Sequence, residues 1–232
     1  MNSQVVPGVP DTSQREVSKA RRRSAILDAA VSLLSGASLD EVSVEDIALE
    51  AGVSPATVYN LMGTRDELLL GCVNRVLHTL MDDLVKMDIN AEPIEAAVAI
   101  VDKSCVAFIS DGRAFRQIIS AVNKIAQSGT SIAIDPAQLQ ITAIRAAQEA
   151  NIVRRDVDAE AIGRQIYLAY NGAMFAWAAG QLSDDGFRSN ALLGLWTALT
   201  AFAVEEYREE FFRTLELAST TVVMAGYGSS AS

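Results

Sequence analysis

VSVEDIALEAGVSPATVYNLMGTRDELLL, residues 42–70, carries the start and stop signals of three short helices. Ser43 and Asp46, three residues apart, form a capping box, and Ile47, Ala48 and Ala51 follow on one helical face. Gly52 closes that helix, because the chain leaves a helix through the left-handed region, where a residue without Cβ is unstrained. Val53 plugs the turn, Ser54 caps the next helix, and Pro55 takes its first position, where a missing N–H is no loss. This second helix turns Val58 and Leu61 inward and leaves Ala56, Thr57, Tyr59 and Asn60 outside. Thr64 and Glu67 make another capping box, which opens a third helix at Arg65. Ala48 is small enough for the first two helices to cross closely. The spacing predicts a helix-turn-helix, which presents the start of its second helix to the DNA major groove.

Outside this stretch, the 232 residues are 50% hydrophobic and 21% charged, enough for one or two domains with a substantial core. There is no run of 18 apolar residues and no apolar signal-peptide core, so no membrane partner and a cytoplasmic location are expected. Cys72, Cys105 and the single His78 have no metal-ligand spacing and no proton-relay partner. The expectation is no enzyme, no metal, no catalytic residue and no cofactor. The net charge of −10 argues against a nonspecific nucleic-acid coat but not against a local reader. Residues 1–71 hold six cations against ten acids, yet five of the six fall within Arg15 to Arg23. Arg21, Arg22 and Arg23 are therefore candidates for phosphate or minor-groove contact.

In chain order, residues 1–14 read as a disordered tail, and a first helix is predicted from about Lys19 to Ser35, ended by Gly36. The helix from Arg65 continues to about Val85. Further helices are predicted from Pro93 to Ser110 and from Arg113 to Gln127. A loop follows over Ser128–Ile134, then a helix begun by Asp135 and Pro136 that runs to Ala150 and is ended by Asn151. Between Asp158 and Leu182 the chain is apolar nearly all round after Gln165, so that helix must be covered on several sides. A last long helix is predicted from about Asp185 to Phe212. These two, rich in Gly172, Ala173, Ala176 and other small residues, suggest a dimer seam, and residues 226–232 a frayed tail. The class is all-α: a helix-turn-helix DNA-binding head over 15–70 and a helical effector-binding and dimerisation domain over 71–225.

The segment RRRSAILDAAVSLLSGASLDEVSVEDIALEAGVSPATVYNLMGTRDELL, residues 21–69, resembles the tetracycline-repressor (TetR) family of bacterial regulators. Beyond it, the helices are similar to that family in number and length only. The resemblance implies that Thr57 and Tyr59 touch phosphates, that Arg65 aims its charge at the DNA backbone, and that Pro55, Ala56 and Asn60 read bases beside the Ser54 cap. Leu61 and Met62 depart from the family pattern, the first where a phosphate contact is frequent, the second where phenylalanine is usual.

The function expected is a homodimeric repressor, released from a palindromic double-stranded DNA operator by a small hydrophobic or aromatic effector. Phe108, Phe115, Ile119, Ile144, Tyr170 and Trp177 supply candidate apolar walls for that effector. Arg116 and Asn171, with Gln117, Asn123 and Gln165, are the polar candidates for orienting it. The alternative is a helical protein-interaction module that no longer binds DNA.

Overall fold

The computed structural model describes residues 12–127 and 135–225, which form ten α-helices. They are α1 (Thr12–Gly36), α2 (Val44–Glu50), α3 (Pro55–Met62), α4 (Arg65–Val85), α5 (Pro93–Ser110), α6 (Gly112–Gln127), α7 (Ala137–Glu149), α8 (Ala159–Ala178), α9 (Asp184–Phe202) and α10 (Glu205–Ala225). The expected tail up to residue 11, the expected loop at 128–134 and the expected tail at 226–232 lie outside the described residues.

Helices α1 to α3 pack on one another around Ile26, Ala30, Leu34, Ile47, Ala48 and Val58, all nearly inaccessible. The start of α4 closes this small core with Leu68 and Leu69. Helices α5, α7, α8 and α9 build the larger body, and α10 lies on α9. The approach of α7 and α8 is close enough that a Cβ on Gly163 would stand 2.7 Å from the Ile141 backbone nitrogen. Two elements join head to body: α6 packs against both α1 and α4, while α4 runs from the head into contact with α5.

Two expectations about element bounds are corrected. Helix α1 begins at Thr12, ahead of Lys19, so the segment Thr12–Gln14 of the expected tail is helical. The last long helix is two helices. Ala203 is extended at φ −60°, ψ 145°, and pairs with Val153 in an isolated antiparallel bridge. Arg154 N donates to Phe202 O at 2.9 Å and Val204 N to Ile152 O at 3.0 Å, so these backbone groups find partners outside the helix. Neither Gly nor Pro marks the break, and its cause lies about fifty residues back in the chain. Asn151, by contrast, ends α7 as expected, at φ +58°.

Candidate nucleic-acid interface and effector cavity

The helix-turn-helix is assembled from local hydrogen bonds. Ser43 Oγ accepts from Asp46 N at 3.1 Å, and Asp46 Oδ2 accepts from Ser43 N at 2.9 Å, which completes the box that starts α2. At its other end Gly52 sits at φ +65°, with Val53 N donating to Ala48 O at 2.9 Å and Gly52 N to Leu49 O at 3.1 Å. That paired closure requires the left-handed residue, hence glycine. Ser54 Oγ accepts from Thr57 N at 3.2 Å and shares a 2.8 Å hydrogen bond with Thr57 Oγ1. Thr64 and Glu67 cap α4 in the same reciprocal way.

Three head carboxylates are thus tied to helix starts or turns. The side-chain hydrogen bond from Ser43 lowers the Asp46 pKa, and the backbone N–H groups of Thr64 and Ser38 do the same for Glu67 and Glu41. The acidity of the head is in part the acidity of its caps.

The outer face of α3 presents Pro55, Ala56, Tyr59 and Asn60 to solvent beside the exposed Ser54, with Thr57 half-buried and Val58 sealed inside. Tyr59 keeps 51% of its surface exposed, far more than a core tyrosine would. Arg21 and Arg22 are exposed on α1, along a groove whose far wall is the Ala51–Val53 turn. Two of the arginines singled out in the sequence are engaged within the protein. Arg23 donates to Leu61 O through Nε at 3.1 Å and Nη2 at 2.8 Å, which pins the end of α3 to α1. Arg65 is half-buried, and its Nη2 donates to Val42 O at 2.8 Å and to Leu39 O. Its guanidinium is a strut between α4 and the α1–α2 connection.

In the body, α4 to α8 enclose a cavity of about 290 Å³. Leu70, Val73, Leu77 and Leu80 of α4 form one wall and Tyr167, Tyr170, Met174 and Phe175 of α8 another. Of the residues expected to meet an effector, the cavity gathers Phe108, Ile119, Tyr170 and Asn171, and Asn123 lies at its edge. Phe115, Ile144 and Trp177 are sealed in the core away from it. Phe115 meets Phe108 edge-on, with centroids 5.1 Å apart, and Trp177 stacks on Phe187 at 5.2 Å. Arg116 also lies outside the cavity: it donates to Trp177 O, pairs with Asp184 at 2.9 Å and covers the Trp177 ring at 4.5 Å. Gln165 is exposed on α8.

Gln117 holds the head. Its Oε1 accepts from Leu39 N at 2.6 Å, and its Nε2 donates to Leu34 O and Ala37 O, both at 3.0 Å. Leu39 is therefore gripped through its N–H from α6 and through its carbonyl by Arg65 of α4. Along α6, Arg116 anchors to the body, Gln117 to the head, and Ile119 and Val122 to the cavity. No local signal marks this latch, since its partners are backbone groups about eighty residues away.

Other chemistry is thin among the described residues: no group of three His, Cys, Asp or Glu is placed to hold a metal, and no helix is long and apolar enough to cross a membrane. Burial pushes both the Cys72 and the Cys105 thiols up to about 12.

The profile of the bacterial regulatory proteins of the tetR family matches residues 26–72, the span from the core face of α1 to the first turns of α4. Residues 26–72 thus match the tetR family, and the rest of the chain lies outside that match. The chain is 35% identical over 81 residues to the HTH-type transcriptional regulator BetI of Rhizobium meliloti (strain 1021), and 38% identical over 91 residues to the BetI of Agrobacterium fabrum. These matches take in 34% and 39% of this chain and only 40% and 43% of the two relatives. Among solved structures it is similar to SmeT, the repressor of the Stenotrophomonas maltophilia multidrug efflux pump SmeDEF. There the TM-score is 0.57 at 20% identity, covering 79% of this chain and 91% of SmeT. The sequence likeness to the BetI proteins thus spans less than half of either chain, and with SmeT this protein shares the fold.

Proposed function

We propose that this chain is a homodimeric transcriptional repressor of the TetR family in the cytoplasm, which holds a palindromic operator and releases it when a small hydrophobic molecule fills the body cavity. The head over residues 15–70 binds DNA, and residues 71–225 bind the effector and dimerise. The observation that carries this reading is the exposed face of α3. Pro55, Ala56, Tyr59 and Asn60 stand clear of the protein on a helix start whose neighbours are locked by caps. Asn60 has the amide that pairs bidentately with adenine, Ala56 the methyl that meets thymine, and Tyr59, Thr57 and Ser54 the hydroxyls for phosphates. Arg21 and Arg22 supply the flanking positive charge, while Arg23 and Arg65 fix the geometry of the head from within.

Two heads related by a two-fold axis meet successive major grooves about 34–36 Å apart. The cavity reports to that spacing through two elements it touches. Helix α4 contributes Leu70, Val73, Leu77 and Leu80 to the wall and Arg65 to the head, and α6 contributes Ile119 and the Gln117 latch. A ligand that spreads these walls moves the α1–α2 connection. To take the DNA-ready population from 99:1 to 1:99, it must prefer the released form by about 10⁴-fold.

Selection of random duplexes by the full-length protein tests the reading. The expected product is an inverted repeat with half-site centres about 10–10.5 base pairs apart. Failure to enrich any repeat at low salt would leave the protein-interaction module as the better account.

A further inference from the structure

Among the described residues, none that lines the cavity is Asp, Glu, Lys, Arg or His. An ion placed there would lose its water and meet no opposite charge, so the site selects neutral molecules. Its volume, about 290 Å³, stands at the low end of small-ligand pockets and suits a compact ring system.

Within this apolar wall two buried oxygens lack hydrogen-bond partners: Gln140 Oε1 on α7 and the Tyr170 hydroxyl on α8. Gln140 is only 3% exposed. It lies on the buried face of α7 with Ala137, Ile141 and Ile144, where an apolar residue would fit the helix without any polar atom to satisfy. Its Nε2 donates to Ala97 O on α5 at 3.0 Å. A backbone carbonyl only accepts, so the amide is held with its NH₂ toward α5 and its carbonyl oxygen left over as an acceptor. Burial pushes the Tyr170 phenol well above its usual range and keeps it a neutral O–H; the neighbouring Ser104 hydroxyl opposes that shift but does not meet it in hydrogen-bond geometry. Ser104 has its own hydroxyl proton on Val101 O at 2.9 Å.

We propose that the effector is a neutral aromatic or alicyclic alcohol or phenol whose hydroxyl donates to Gln140 Oε1 and accepts from Tyr170, its ring lying among Phe108, Ile119, Met174 and Phe175. The inference rests on the cavity being the effector site. A hydroxyl is the small neutral group that both donates and accepts, which is what an unpaired carbonyl oxygen and a phenolic O–H ask for together. A deoxy analogue would leave the Gln140 oxygen unpaired and would be discriminated against on that account.

Calorimetric titration of the full chain with 2-naphthol, naphthalene, 2-naphthoate and 2-naphthyltrimethylammonium reads the preference directly. The expected order places 2-naphthol about tenfold or more ahead of naphthalene, the value of roughly one well-made hydrogen bond, with both ions weaker still. In Gln140→Leu the naphthol-to-naphthalene ratio falls toward one, and Tyr170→Phe, a smaller change to the core, lowers it in part. Tightest binding by either ion, no binding of naphthol, or an undiminished ratio in both variants would overturn the proposal. Release of the selected operator is measured separately. Naphthol that binds with the expected preference but leaves DNA bound would uphold the ligand chemistry and refute the regulatory reading, whereas operator selection that succeeds with no naphthol binding would do the reverse.

Discussion

Replacing Gln117 by Ala removes three hydrogen bonds with which α6 holds the head: one from Leu39 N at 2.6 Å and two to Leu34 O and Ala37 O at 3.0 Å. A neutral hydrogen bond contributes about 0.5–1.5 kcal/mol net, which for three gives about 1.5–4.5 kcal/mol. Gln117 is half-buried, so water reaches part of the vacated site, and a loss near 2 kcal/mol is expected. That corresponds to about a thirtyfold rise in opening of the 37–42 connection. Gln117→Glu keeps an acceptor for Leu39 N–H but sets a carboxylate against two carbonyls, so it is expected to be no better than Ala. The assay is amide hydrogen exchange with assignment at Leu39, run beside denaturant unfolding. Protection at Leu39 should fall by about the stated factor. Unchanged protection at Leu39 in both variants would refute the claim that α6 grips the head through this side chain.

The remaining predictions concern the seam and the caps. Leu168 keeps 58% of its surface exposed on α8, so Leu168→Glu should leave the monomer folded and abolish the dimer in sedimentation. A persisting dimer would transfer the seam to α10, which exposes Phe212, Leu217 and Val223. Asp46 and Glu67 titrate below their ordinary values of 3.8 and 4.5 because Ser43 and Thr64 hydrogen-bond their ionised forms. Their stabilisation is therefore fully present above those values and lost as pH falls through the lowered ones. Acid melting of the head should become less steep in an Asp46→Asn, Glu67→Gln double variant, which removes the titrating groups, and an unaltered pH profile would remove the caps as its source.

Most of the fold was legible because helix ends are written locally. The boxes at Ser43–Asp46 and Thr64–Glu67, the Ser54–Pro55 start and the left-handed closures at Gly52 and Asn151 all lie within a few residues of the bonds they make. What escaped was long-range and directed at backbone. The break at Ala203 depends on pairing with residues 152–154. Arg65 and Gln117, read as facing DNA and effector, are held by carbonyls and an N–H of the segment 34–42. Polar character says that a partner exists, but spacing says nothing of which one. Gln140 is different, because the 137, 140, 141, 144 periodicity puts a polar residue on an inward face, and that signal stood in the sequence unread. Phe115 and Trp177 illustrate the converse: aromatic bulk at helical spacing went into the core.

Operator recognition as proposed requires α3 to lie in a major groove. Hydroxyl-radical footprinting on the selected operator measures this most directly. Two protected patches on one face of the duplex, about one helical turn apart, are expected with the full chain. Both should fade in a Tyr59→Ala, Asn60→Ala double variant that retains its helicity. A footprint that is continuous, or one that survives that double substitution unchanged, would contradict it.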